Sequence, residues 1–234
     1  MAGIPERRGH AAEGRSILLT WRCQAGNYRS SHRVDYYYRL VGDPERDRPR
    51  PVLTVTDGEM EEASVMVQRI TGIKNPDFLV GLHPGGHYGP AKRWPTDRFG
   101  RLARSLTRSG RTVLVFGGAS DREAAEQIVS AASTGAWNLA GDTGLKRLTA
   151  LLKLCRVVVA NDSGPLHLAA AVGVAAIGIF GSTDPAATGP RGGMTRVIHH
   201  PVPCSPCLRR ICKGDFECMN SITPETVMGV IETA

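Results

Sequence analysis

The chain has 234 residues, 41% hydrophobic and 6% aromatic, enough for one large domain or two small ones with a packed core and inconsistent with disorder over most of its length. No apolar stretch near the N-terminus is long enough for a signal sequence, and nowhere do about 18 apolar residues run together, so a soluble, cytoplasmic protein is expected. Lys and Arg exceed Asp and Glu by 29 to 22, a net charge of +7 that suits a nucleic acid, an anionic membrane surface or a phosphorylated substrate without choosing among them.

The first 76 residues lack a regular alternation of strands and helices. They hold "DYYYRL" (35–40), a charged, proline-rich stretch "GDPERDRPRP" (42–51) and an amphipathic segment "EEASVMVQRITG" (61–72). In the last of these Ala63, Val67 and Ile70 fall at helical spacing and Gly72 is a natural stop. The region reads as the end of one domain plus a linker, with the boundary in "KNPD" (74–77) and a second domain over 77–234.

From Phe78 the pattern becomes regular. The apolar runs "FLVGLHP" (78–84), "RTVLVFG" (111–117), "WNLAG" (137–141), "RVVVA" (156–160) and "AAIGIFG" (175–181) read as strands. Between them lie helical segments over 95–110, 120–133, 145–155 and from 161 to about 173. Strands alternating with helices of this length predict parallel pairing through right-handed crossovers, a Rossmann-like α/β sheet. Ligands of such sheets lie outside the carboxyl ends of the strands. That edge is formed by "HPGGHYGPAKRWP" (83–95), "GGASD" (117–121), "GDTG" (141–144), "NDSGPLH" (161–167) and "GSTDPAATGP" (181–190), where glycines and small polar residues gather.

At the fourth of these junctions, Asp162 or Ser163 is placed to cap a helix and Pro165 fits its first turn. Gly164, without a side chain, lets a ligand approach the free N–H groups and the positive end of the helix dipole, which favours phosphate or pyrophosphate. His167, one turn in, is either a satisfied helix histidine or a donor to ligand oxygen. Lys92, held between Pro90 and Pro95, supplies an ammonium at the same sheet edge. Neither a Walker loop nor a G-x-G-x-x-G fingerprint is present.

The segments "GLHPGGHYGPAKRWP", "VLVFGGASDREAAEQI", "NLAGDTGLKRLTALL", "VVANDSGPLHLAAAVG" and "IGIFGSTDPAATGP" resemble, in this order, the C-terminal half of family 9 glycosyltransferases, most closely the type II branch of the ADP-heptose:lipopolysaccharide heptosyltransferases. The resemblance implies a two-domain GT-B fold whose C-terminal Rossmann half binds the donor ADP-heptose and whose N-terminal half binds the lipid A and inner-core lipopolysaccharide acceptor. It implies an inverting transfer of heptose, with no cofactor or metal in the chemistry, in the cytoplasm or by peripheral contact at the cytoplasmic face of the inner membrane. By this resemblance Lys92 and Asp162 support the leaving group. Gly85, Gly86, Gly117, Ser163, Gly164 and His167 surround the donor, and Glu123 falls at an acidic position near the nucleoside. The family's general base lies near the start of the N-terminal domain. No carboxylate of residues 1–76 matches it, so the chain is expected to hold only the last part of that domain and to turn over poorly alone.

Cys204, Cys207, Cys212 and Cys218 lie within fifteen residues, and four thiols at such spacing either wrap a structural zinc or iron or remain free in a reducing compartment. Cys23 and Cys155 read as packing residues. A different nucleotide-sugar transferase or an epimerase on the same fold stays open, because function belongs to the site and not the scaffold. A nucleic-acid partner is not expected: residues 77–234 carry 17 Lys and Arg against 12 Asp and Glu, spread over helices instead of grouped on one surface.

Overall fold

Every residue of the strands Leu79–His83, Thr112–Val115 and Val157–Asn161 is buried, as their near-continuous apolar runs require of a parallel sheet covered on both faces. In the computed structural model, residues 3–24, 28, 31–42, 50–74 and 78–234 are described. Along the chain the strands are β1 (Arg8–His10), β2 (Trp21–Cys23), β3 (Leu79–His83), β4 (Thr112–Val115), β5 (Ala136–Asn138), β6 (Val157–Asn161), β7 (Ala175–Phe180) and β8 (Thr195–His199). The last six form one parallel sheet in the order β5-β4-β3-β6-β7-β8. The chain therefore winds outward in both directions from the β3–β6 pair, and the strand order reverses there.

Successive strand residues divide between two cores, as period-2 geometry dictates. Val80, Leu82, Val113, Val115, Val157 and Val159 face one cluster, whereas Leu79, Leu114, Phe116, Val158 and Ala160 face the other. The first is covered by the helix Thr96–Arg108 through Phe99, Leu102 and Leu106, by Arg122–Ala132, and by Pro224–Glu232 through Val227 and Ile231. The second is covered by Leu145–Leu154, by Gly164–Ala171 and by Asp57–Thr71. Gly110, with φ of 81°, ends the turn after the first of these helices as expected.

Three features depart from the sequence reading. β8 was not expected, because as an edge strand it buries only Ile198 fully and leaves Arg196 and Val197 exposed, so its apolar signal is weak. The helices Glu217–Asn220 and Pro224–Glu232, beyond the last expected strand, complete the first core. The helix expected over 61–72 begins earlier, at Asp57, where Thr56 and Glu59 form a capping box, and stops at Gly72 with φ of 72° as predicted.

The expected boundary between 76 and 77, like most of the proline-rich stretch (43–49), lies outside the described residues. By its contacts the chain divides instead between Arg50 and Pro51, with 186–189 joining the N-terminal unit. The reason is the Asp57–Thr71 helix, which buries Ala63 and Val67 in the second core of the sheet and so belongs with the C-terminal unit. In the N-terminal unit β1 and β2 pair in parallel, and His10 stacks on Tyr36 of the helix Arg33–Tyr38 at 3.8 Å between ring centroids.

Val67 is 2% exposed and Val65 59%, on the same helix. Val67→Asp is expected to lower the urea stability of the sheet unit by about 3 kcal/mol or more, because it strands a carboxylate in the core. Val65→Asp should stay within about 0.5 kcal/mol of wild type. Equal effects in urea melts would show that this helix is not part of that unit.

Candidate functional site

The reversal of strand order sets β3 beside β6, with His83 opposite Ala160, so the loops leaving both strands open side by side. A fully buried side chain, Asn161 at the end of β6, fastens them together. Its Oδ1 accepts from Trp94 N (2.9 Å), and its Nδ2 donates to Pro84 O (2.7 Å) and Gly85 O (3.2 Å). Trp94 is itself anchored, its Nε1 donating to Ile222 O (3.0 Å) and its ring meeting Phe99 edge to face. Both ends of the loop 84–94 are thereby fixed, and Lys92 rides in the short turn Pro90–Lys92 between them.

Lys92 Nζ lies 3.2 Å from Asp162 Oδ2, and the two side chains are only 13% and 7% exposed. The ammonium is thus held by a buried carboxylate at the start of the next helix. Ser163, one of the two residues expected to cap this junction, is the N-cap of Gly164–Ala171, but its side chain makes no cap bond. Its Oγ lies instead 3.2 Å from Nδ1 of His83. A hydroxyl that would have covered the helix terminus is drawn aside, and a Cβ built on Gly164 would meet nothing within 4 Å. The helix start at Gly164 is therefore exposed, the condition for an anion to reach it.

Asp121 closes the other side. Gly85 and Gly117 leave it room: a Cβ on either would stand 2.6 or 2.7 Å from its side chain. Its Oδ2 accepts from Gly118 N (3.0 Å) and its Oδ1 is 3.7 Å from Nη2 of Arg93, whose Nε donates to Gly86 O (3.1 Å). The result is a cleft of about 390 Å³ walled by His83, Tyr88, Lys92, Asp121, Asp162 and Ser163. That volume is within the range of small-ligand sites.

Of the residues expected from sequence, Gly86, Lys92, Asp162, Ser163 and Gly164 line this cleft. Gly85 and Gly117 stand behind Asp121. Glu123 is exposed on the first turn of Arg122–Ala132 and is not among the lining residues of this cleft, whereas Asp121, two positions earlier, is. His167 lies outside the lining, half-exposed, with Nε2 4.0 Å from Asp162 Oδ1. His83, Asp121, Arg93 and Asn161 were not singled out; the loop strings containing them were, and only adjacency in the sheet gives them roles.

The four clustered cysteines line a second cavity, of about 270 Å³. Cys218 is buried, and its thiol is raised first by that burial and then by Cys204, Cys212 and Cys207. Four soft donors around one space suit zinc or iron chemically. Among the described residues, however, no three His, Cys, Asp or Glu side chains are arranged to hold a metal ion, and all six cysteines are free.

A doubly wound parallel sheet with a lysine and a helix start at its switch point makes this an open α/β protein, a class whose ligands lie outside the carboxyl ends of the strands. Residues 1–216 match the profile of "Glycosyltransferase family 9 (heptosyltransferase)". The chain is 32% identical to lipopolysaccharide heptosyltransferase 2 of Escherichia coli K12 over 243 residues, covering 97% of this chain and 68% of that one. It is 33% identical to lipooligosaccharide heptosyltransferase 2 of Haemophilus influenzae over 244 residues, covering 97% and 69%. The structure of E. coli ADP-heptose LPS heptosyltransferase II superposes with a TM-score of 0.81 at 29% identity, over 99% of this chain and 70% of that one. The chain belongs to glycosyltransferase family 9, and it is a glycosyltransferase.

His83 supplies a pH prediction. Burial pushes its imidazole down to about 4, overcoming the opposing pull of the Asp121 carboxylate. In the unfolded chain the group titrates near 6.5, so the unfolded state binds the extra proton first. The contribution is full above pH 6.5 and is lost as pH falls toward 4, by roughly 3 kcal/mol. His83→Gln should flatten the stability profile of the sheet unit in this window, measured by urea melts at stepped pH. An unchanged slope would place the acid sensitivity elsewhere.

Proposed function

We propose that the cleft binds the diphosphate of ADP-heptose and that the chain takes part in transferring heptose to the inner core of lipopolysaccharide. The observation that supports this reading is the open N-terminus of Gly164–Ala171 beside an ammonium already aimed by Asp162. As the bond from the anomeric carbon to the diphosphate oxygen breaks, its electron pair leaves with ADP. The acceptor hydroxyl oxygen forms the new bond on the opposite face. The negative charge growing on the leaving group is met by Lys92 and the helix-terminal N–H groups, fixed before the reaction begins. That supplies the charge stabilisation for which other transferases use a divalent cation.

Asp162 holds Lys92 in place before the ligand arrives and remains as its counter-ion afterwards. Neither carboxylate of the cleft is free to take the proton of the acceptor hydroxyl: Asp162 is committed to Lys92, and Asp121 to Gly118 N–H and Arg93. The base therefore belongs to the acceptor side of the reaction.

Contact with an anionic membrane surface fits the segment 208–213, where exposed Leu208 and Ile211 stand among exposed Arg209, Arg210 and Lys213. Among the described residues no helix is long and apolar enough to cross a membrane. Sedimentation with phosphatidylglycerol vesicles should recover more protein than with phosphatidylcholine vesicles, and Arg209→Glu with Lys213→Glu should abolish the difference. Equal recovery on both lipids would count against membrane contact through this segment.

Calorimetric titration tests the donor site. ADP should bind in preference to UDP, and Lys92→Ala should weaken it at least about tenfold, the value of a charge-assisted bond to phosphate. Asp162→Asn, which removes a competing anion but keeps the shape, should weaken ADP far less. Failure of the folded wild type to bind ADP would overturn the reading.

A further inference from the structure

The cysteine-bearing segment between β8 and the Glu217–Asn220 helix contributes no wall to the ADP cleft, yet it is bonded directly to the loop that carries Lys92. On one side it is moored to the loop after β7. Leu208 N donates to Ser182 O (2.7 Å), and Ser205 Oγ donates to Gly181 O (2.5 Å). On the other side it grips Tyr88 to Ala91: Ala91 N donates to Arg210 O (3.0 Å), Tyr88 Oη donates to Leu208 O (2.8 Å), and Arg210 Nε donates to Tyr88 O (2.8 Å). Gly89 lies at the point of contact. A Cβ there would stand 2.5 Å from Arg210 O and 3.0 Å from Arg210 Cα, so the two backbones approach as only a glycine permits.

Asn161 and Trp94 fix the ends of the loop and Arg93 ties Gly86, whereas the tip from Tyr88 to Ala91, with Gly89 in it, is tied to the cysteine segment by these three bonds. Lys92 follows Ala91 directly in the chain. We propose that residues 208–210 form a clamp that sets the position of the Lys92 ammonium, with Arg210 a positioning residue for a donor phosphate it does not touch. The benefit is preorganisation: an ammonium held before binding spares the ligand the entropy of ordering the loop. This inference rests on the ADP-binding reading above.

Wild type, Arg210→Ala, Arg210→Lys and Gly89→Ala are compared by amide hydrogen exchange and by ADP titration. In Arg210→Ala and Gly89→Ala the Ala91 amide should exchange at least about tenfold faster while the sheet strands keep wild-type protection. ADP should bind about tenfold more weakly although Lys92 is intact. Arg210→Lys, which restores a donor to Tyr88 O, should recover most of the affinity, as loss of a merely structural contact elsewhere would not. Unchanged exchange at Ala91 in both variants would overturn the clamp whatever the nucleotide result. Faster exchange with unaltered ADP affinity would overturn the positioning role and leave the ADP reading intact. A wild type that binds no ADP would overturn that reading, and the positioning role with it.

Discussion

The site depends on the side chain of Asn161. A parallel sheet that reverses its order between β3 and β6 leaves two loops diverging over a crevice, and backbone pairing within the strands does nothing to join them. Asn161 joins them with three hydrogen bonds in a fully buried position, using both its acceptor and its donors. In that setting a missing partner leaves buried carbonyls and an N–H unsatisfied, each at about 1–3 kcal/mol. The lysine loop, the indole of Trp94 and the start of the next helix are therefore registered to one another through a single amide.

Electrostatics then divides the cleft into two ion pairs and a helix dipole. Lys92 answers Asp162 and Arg93 answers Asp121, so the ligand-free site carries little net charge on its side chains. The N-cap hydroxyl of Gly164–Ala171 does not bond to its own helix, because Ser163 turns to His83, and Gly164 stands exposed at the helix start. Burial keeps that imidazole neutral at physiological pH, so it does not add a cation that would need its own counter-ion. On the proposed reading, the diphosphate meets the exposed start of that helix and shares the Lys92 ammonium with Asp162. That sharing makes the lysine a fixed donor instead of a mobile one.

Much of this was legible in residues 78–181. The apolar runs and their helical spacers located five of the six strands of the sheet, because strands buried on both faces leave unbroken hydrophobic stretches. Lys92, Asp162, Ser163 and Gly164 stood out because glycine and proline fix where a backbone turns and where a side chain is held. The edge strand β8 was hidden by its half-exposed pattern, and the Asp57–Thr71 helix, though its amphipathic face was visible, gave no sign of which core it would cover. Glu123 and Asp121 lie two residues apart in one polar loop, and only the packing of Gly85 and Gly117 selects Asp121 for the cleft.

The sequence alone determined the alternation of elements, the parallel sheet and the edge at which glycines and small polar residues collect, because these follow from local periodicity and turn chemistry. The tertiary structure decided which loops are neighbours. Strand order made β3 and β6 adjacent, sent the Ser163 hydroxyl to His83 instead of to the helix it precedes, and laid the cysteine segment against the lysine loop 120 residues earlier. Contacts between groups so distant along the chain depend on how whole layers pack, and no local pattern of residues encodes that.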